Sequence, residues 1–154
     1  MKKIIILFVT ALFTLVVHYP VFASTSTSEI VETYDDGCYL ESVTIDLSFI
    51  STFSNTSQKK GEKTIYYKNS SGKTLWSVTV HGTFSYNGTS AKCTSSSVSV
   101  TCPSSNWKIS KKSSGKSGAT ATATASAKQY QNNSYLRTVT KTVKLTCSKT
   151  GKFS

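Results

Sequence analysis

Acidic residues are scarce in this chain: seven aspartates and glutamates stand against eighteen lysines and arginines. Glu62 is the only acid in residues 51–154, which excludes from that region the pair of carboxylates on which most glycosidases depend. Histidine is equally rare, with only His18 and His81 present. A Ser-His-Asp hydrolase would have to use His81, which alternates with serine and threonine as a surface histidine does. We therefore expect no catalytic residue and no enzyme activity.

Long apolar runs are also absent, except for one at the start of the chain. Met1-Lys2-Lys3 precedes an apolar run over residues 4–17, and Val21-Phe22-Ala23 offers the small residues that suit a signal peptidase. An apolar run of about fourteen residues is short for a bilayer span. Residues 1–23 are therefore predicted to be a cleavable signal peptide, cut after Ala23, and the product is expected to be secreted and extracellular.

No Cys-x-x-Cys spacing occurs, although the chain contains Cys38, Cys93, Cys102 and Cys147. Without paired cysteines, and with one histidine after the signal, a zinc site is not expected, and we predict neither metal nor cofactor. An even number of cysteines in an exported chain predicts two disulfides. The spacing leaves three connectivities open. We favour Cys93–Cys147 with Cys38–Cys102, and a Cys93–Cys102 pair is the rival.

Charge is divided unevenly along the chain. Residues 24–50 carry six acids and no lysine or arginine, whereas residues 51–154 carry sixteen lysines and arginines against Glu62 alone. The polar, acidic segment 24–37 predicts a flexible tail. The basic remainder favours polyanions, so we expect an anionic cell-wall polymer or an anionic membrane surface as the partner. Specific nucleic-acid recognition is not expected, because Arg137 is the only arginine and base reading relies on arginine.

An alternation of apolar and polar residues with a period of two dominates residues 38–154. It is clearest over residues 74–86, which end in Asn87-Gly88, the preferred two-residue hairpin turn. A change of parity between Cys93 and Val98 predicts a bulge or turn in between. Seven strand candidates and no convincing helix predict an all-β fold, a single antiparallel β-sandwich.

Cys93, Trp107 and Cys147 follow one another in the order of an immunoglobulin-type core, in which a disulfide joins two sheets beside a buried tryptophan. The tyrosine that usually lies two residues before the second cysteine is replaced by Leu145. The sequence therefore predicts an Ig-like arrangement only in part.

The segments 76–88, 106–108, 116–121 and 138–151 resemble a group of small exported proteins of Gram-positive, often gut-dwelling, bacteria. The resemblance covers the C-terminal two thirds of the chain. It implies secretion and a β fold, and it brings no activity, ligand or catalytic residue with it.

A cluster of basic residues is the candidate anion-binding site. Its members are Trp107, Lys108, Lys111, Lys112, Lys116, Lys141 and Lys144. Residues 111–118 are rich in serine and glycine and predict a loop, in which flexible ammonium groups can follow phosphates. The competing interpretation is a plain solvated surface.

The function predicted from these features is that of a secreted, non-catalytic binding module for anionic surface polymers. The alternative is a membrane-active, bacteriocin-like toxin. Its motivation is the alternation over residues 119–127 and 139–145, which is typical of strands with one side facing lipid and the other facing water.

Overall fold

The computed structural model describes residues 24–47 and 56–154, so the predicted signal over residues 1–23 lies outside the described residues. These described residues form eight strands: β1 (Ser24–Thr33), β2 (Tyr39–Leu47), β3 (Ser57–Lys68), β4 (Thr74–Tyr86), β5 (Ala91–Thr101), β6 (Trp107–Ser117), β7 (Thr120–Gln131) and β8 (Ser134–Thr146). In the described parts of the chain there is no helix of the length and hydropathy needed to cross a membrane.

The strands form two antiparallel sheets, which confirms the all-β prediction. The first sheet has the order β1-β2-β3-β4-β5 and the second the order β6-β7-β8, so within each sheet every strand pairs with its neighbours in sequence. Asparagine and glycine make the tight turns: Asn132 and Asn133 have φ values of 48° and 63° between β7 and β8, a left-handed conformation that asparagine tolerates better than most residues.

The first strand corrects the expectation of a flexible acidic tail over residues 24–37. Residues Ser24–Thr33 pair with β2 along its whole length, from Ser24 opposite Leu47 to Thr33 opposite Tyr39. A turn with Gly37 at φ 75° then leads into β2. Residues 24–33 are therefore part of the sheet ahead of Cys38, and the described residues form eight strands rather than the seven predicted.

Two local predictions from the sequence have opposite outcomes. The predicted bulge is confirmed: Cys93 pairs with Phe84 and Ser95 with Thr83, so Thr94 has no residue opposite it in the β4–β5 register. The predicted loop over residues 111–118 is not observed, because nearly all of that segment belongs to β6 and pairs with β7 from Lys111 opposite Ser126 to Ser117 opposite Thr120. Backbone pairing with β7 overrides the loop-like composition of this segment.

The two sheets enclose one core. Trp76, Val78, Val80 and Phe84 of β4 are buried against the alanines of β7, which are Ala121, Ala123, Ala125 and Ala127. Alanine is a weak strand former, but its small side chain leaves room for the large rings opposite. Gly82 serves the same purpose, since a Cβ atom there would overlap the Phe84 ring.

The Ig-like expectation is not met by the register. Trp107 pairs with Gln129 at one end of the three-stranded sheet, whereas Thr146, next to Cys147, pairs with Thr120 at the other end. At about 3.3 Å per residue, the tryptophan and this cysteine lie roughly 30 Å apart. The sequential strand order also differs from the Greek-key connections of that fold.

Candidate functional site

The outer face of the three-stranded sheet carries serines, threonines and lysines. Because Ala121 and its alternate neighbours point into the core, the residues between them point outward, and the register extends this to β6 and β8. We call this surface the lysine–hydroxyl face. It consists of Lys108, Lys111, Ser113, Thr120, Thr122, Thr124, Ser126, Lys128, Thr138, Thr140, Thr142, Lys144 and Thr146.

Hydroxyl groups on this face bond to one another across β7 and β8. The Oγ1 atoms of Thr124 and Thr142 lie 2.8 Å apart, as do Ser126 Oγ and Thr140 Oγ1. Thr120 and Thr146 are joined in the same way at 2.9 Å. The result is a ladder of hydroxyls, and each hydroxyl that accepts or donates within the ladder keeps further capacity for a ligand.

Four lysines project from the same face: Lys108, Lys111, Lys128 and Lys144, all exposed. None of them forms an ion pair with any residue in the described part of the chain. Lys108 and Lys128 are direct cross-strand partners, and like charges in that position repel each other. Their ammonium groups lie 5.4 and 6.0 Å from the ring centres of Tyr130 and Tyr135, respectively, which offsets part of that repulsion.

Five of the seven acidic side chains form ion pairs away from this face. Asp46 binds Lys59, Glu41 binds Lys68 and Glu62 contacts His81, all within the five-stranded sheet. Glu32 and Asp36 reach across to the inner side of β8. Since no acidic residue follows Glu62 in the chain, none lies on the three-stranded sheet. The lysine–hydroxyl face is therefore positive without an internal counter-charge.

Ion pairs to β1 and to the turn after it occupy two of the basic residues on β8. Lys141 donates to Glu32 at 2.9 Å, and Arg137 donates to Asp36 at 2.8 Å. The hydrogen bond from Lys141 holds the pKa of Glu32 below its ordinary value. Asp36 likewise has a lowered pKa, chiefly because of the hydrogen bond from Arg137 and then because of the backbone N–H of Cys38.

The seven residues of the predicted anion site do not lie together in the structure. Lys108, Lys111 and Lys144 lie on the lysine–hydroxyl face. Trp107 does not, because its ring is 4 % exposed and packs 5.3 Å from that of Tyr67 and 6.4 Å from that of Trp76.

The other three predicted lysines lie on the opposite side of the sheet. Lys112 and Lys116 pair with Ala125 and Ala121, and Lys116 donates to the carbonyl of Thr94. Lys141 pairs with Ala125 and is engaged by Glu32. Sequence reasoning missed Lys128 and the threonines, although the alternation over residues 119–127 already placed Lys128 on the side opposite the alanines.

All four cysteines are free thiols in the structure, so the two expected disulfides are not formed in it. Burial raises the pKa of each thiol. The backbone N–H of Cys93 donates to Gly118 and that of Cys147 to Ala119, so these two cysteines flank consecutive residues. Cys38 precedes β2 and Cys102 follows β5, three strand spacings or about 14 Å apart along the sheet. A disulfide needs its Cα atoms within about 7 Å. The predicted Cys38–Cys102 pair therefore does not fit this arrangement of strands.

His81 lies at the centre of a chain of side chains on the outer face of the five-stranded sheet. Its Nδ1 is 2.9 Å from Glu62 Oε1, and its Nε2 is 2.8 Å from Ser99 Oγ. This is the order of groups in a Ser-His-acid relay. A hydrolase also needs preorganised oxyanion donors and a site that excludes water, and Ser99 is exposed to solvent. The arrangement accounts for the position of His81 without requiring catalysis.

Among the described residues, no group of three or more histidine, cysteine, aspartate or glutamate side chains has the geometry of a metal site. Comparison with protein-family models, with curated proteins and with solved structures gives no match.

Proposed function

We propose that this protein is a secreted, non-catalytic binding module that associates with anionic surface polymers through the lysine–hydroxyl face. The observation that carries the proposal is the set of four unpaired lysines on a sheet without a carboxylate. Lys108 and Lys128 repel each other as direct cross-strand partners. A phosphate or carboxylate bound between them removes that repulsion.

The chemistry of the face suits a polymer better than a compact ligand. The hydroxyl pairs repeat along β7 and β8, so the face offers repeated contacts to an extended chain. Ammonium groups attract phosphates as point charges, and threonine hydroxyls donate to phosphate oxygens. The only arginine, Arg137, is bound to Asp36, which supports phosphate contact without base recognition.

We also propose that the two sheets form a β-sandwich and that Cys93 and Cys147 form a disulfide in the exported protein. Two sheets with a shared apolar core support the sandwich. The position of both cysteines beside Gly118 and Ala119 supports the pairing. Export itself rests on the features of residues 1–23.

The test compares two variants that each lose three lysines, so that both have the same net charge. One variant carries Lys111→Ser, Lys128→Ser and Lys144→Ser, and its control carries Lys73→Ser, Lys92→Ser and Lys149→Ser, three exposed lysines away from the face. Retention is measured on poly(glycerol phosphate) and on phosphatidylglycerol vesicles across a salt series. At about 1 kcal/mol per lysine near an anionic surface, the first variant should lose about a hundredfold in affinity at low salt.

The control variant should lose less than about tenfold, because only the long-range field changes. Added salt should weaken wild-type binding, since the Debye length is about 8 Å at physiological ionic strength. Equal losses in the two variants, or binding that salt does not affect, would contradict the proposal.

The membrane-active alternative loses its original motivation, because the alanine face of β7 packs in the core rather than facing outward. A different observation favours it: Tyr135 and Leu136 are 56 % and 49 % exposed near the start of β8, close to Lys128. Leakage from phosphatidylglycerol vesicles that is lost on Tyr135→Ser with Leu136→Ser would support this second function. The binding-module proposal expects adsorption without leakage.

A further inference from the structure

The inner face of the five-stranded sheet has a groove that the smaller sheet does not fill. The three-stranded sheet packs on β3, β4 and β5, which leaves the inner sides of β1 and β2 only partly covered. Two adjoining cavities of about 280 and 170 Å³ lie there and share Thr27, Thr44 and Phe153. None of these residues belongs to the lysine–hydroxyl face.

The lining of this groove is polar, and much of it is unused. Ser42 is 2 % exposed, lines the smaller cavity, and its Oγ has no hydrogen-bond partner among residues 24–47 and 56–154. The side chains of Thr27, Glu29, Thr44 and Lys63 line the same groove and form no hydrogen bond or ion pair within the described residues. Five hydrogen-bonding side chains therefore face one space without bonding to one another.

An unused buried hydroxyl is costly, and native proteins rarely keep one without a reason. The same inner face carries valine on β4 and is opposed by alanine on β7, so apolar residues are readily accommodated between these sheets. A polar ligand that supplies the missing hydrogen bonds explains why the inner faces of β1 and β2 carry polar side chains where that of β4 carries valine.

The mixture of groups indicates the class of occupant. Glu29 accepts hydrogen bonds, Lys63 donates them, and the hydroxyls do both, so neither sign of charge is favoured. Phe153 adds a half-buried ring that lies against Gly61, where a Cβ atom would overlap it. We propose that this groove binds a neutral, polyhydroxylated ligand, a sugar unit, whose hydroxyls bond to Ser42, Thr44 and Glu29 and whose apolar face contacts Phe153.

The experiment is an amide NMR titration of the folded, secreted protein with N-acetylglucosamine trisaccharide and with maltotriose at millimolar concentration. Glucose 6-phosphate and inorganic phosphate are the comparison ligands. Shifts should concentrate on the inner residues of β1, β2 and β3 with at least one of the two sugars. Ser42→Ala and Thr44→Val should each weaken that binding about five- to tenfold, the effect of one lost hydrogen bond to a ligand.

Thr83→Val is the matched control, because Thr83 occupies the opposite face of β4, and it should bind the sugar as the wild type does. Ser42→Ala should also melt at or above the wild-type temperature, since it removes an unpartnered polar atom. The proposal is overturned if neither sugar shifts these residues, if both variants bind with wild-type affinity, or if only the phosphorylated ligands bind. Binding of poly(glycerol phosphate) to the lysine–hydroxyl face is scored separately and does not depend on this outcome.

Discussion

At the scale of single residues, small side chains decide how closely the two sheets approach. Gly82 and Ala121 face each other across the core, and a Cβ atom added at Gly82 would lie 3.2 Å from the Cβ of Ala121 and would also overlap the Phe84 ring. Phe84 is fully buried and packs 5.4 Å from Phe153, centre to centre. One methyl group at this point must therefore displace a ring that several core residues contact.

We predict that Gly82→Ala destabilises the fold by about 1–3 kcal/mol, the usual effect of overpacking a filled core. Gly115→Ala is the control, because nothing lies within 4 Å of the corresponding Cβ position and its backbone is not left-handed. Its effect should stay within about 0.5 kcal/mol. Urea unfolding of both variants measures the difference, and equal midpoints would show that the ring moves without cost.

At the scale of secondary structure, β1 is an edge strand with all ten residues exposed. Its backbone bonds to β2, and two ion pairs near its end, Glu32 with Lys141 and Asp36 with Arg137, tie it to β8. The carboxylates are 46 % and 42 % exposed, so the pairs together contribute no more than about 1–2 kcal/mol. The attachment of β1 should therefore be the part of the fold most sensitive to pH.

The direction in which pH changes the attachment of β1 follows from the lowered pKa values of Glu32 and Asp36. Their stabilising contribution is complete above the ordinary carboxyl pKa and is lost as the pH falls through the lowered values. We predict that hydrogen-exchange protection of the β1 amides decreases on acidification from neutral pH to about pH 3, while protection of β4 persists.

The double variant Glu32→Gln with Asp36→Asn should lower the protection of β1 at neutral pH and remove most of its pH dependence. Glu29→Gln, in the same strand and without an ion pair, should behave as the wild type. Protection of β1 that is unchanged by the double variant would show that backbone pairing alone holds the strand.

At the scale of the whole molecule, acids are confined to one sheet, and the smaller sheet is purely basic. The turn between β6 and β7 meets both Cys93 of β5 and Cys147, the residue after β8, because their backbone N–H groups donate to the carbonyls of Gly118 and Ala119. The pKa of the Cys147 thiol is raised chiefly by burial, with a smaller contribution from Cys93 nearby. A disulfide at this point would link the two sheets covalently.

We predict that oxidation forms Cys93–Cys147 before any other pair and stabilises the protein by about 2–5 kcal/mol. Peptide mapping after mild oxidation identifies the bond, and thermal unfolding with and without reductant measures its effect. Cys93→Ser should abolish the stabilisation, whereas Cys38→Ser should not. Recovery of Cys93–Cys102 as the main product would contradict the assignment.

The sequence by itself determined the features that depend on neighbouring residues. A period of two specified strands, Asn87-Gly88 and Asn132-Asn133 specified turns, and the parity change after Cys93 specified the bulge at Thr94. These features are local, because each side chain's face follows from the position of the residues next to it. The order of charges along the chain was likewise visible, and it set the expectation of an anionic partner.

Only the tertiary structure decided which of these residues meet. The acidic segment 24–37 has too little apolar surface to predict order, and it becomes a strand because β2 and the cations of β8 supply distant partners. Trp107 is buried by Tyr67 and Trp76, and Lys141 by contacts with Glu32 and Tyr34. The groove beside Ser42 exists because five strands face three. Which residues are paired or buried depends on contacts between segments that are far apart in the chain, and a local sequence pattern does not contain that information.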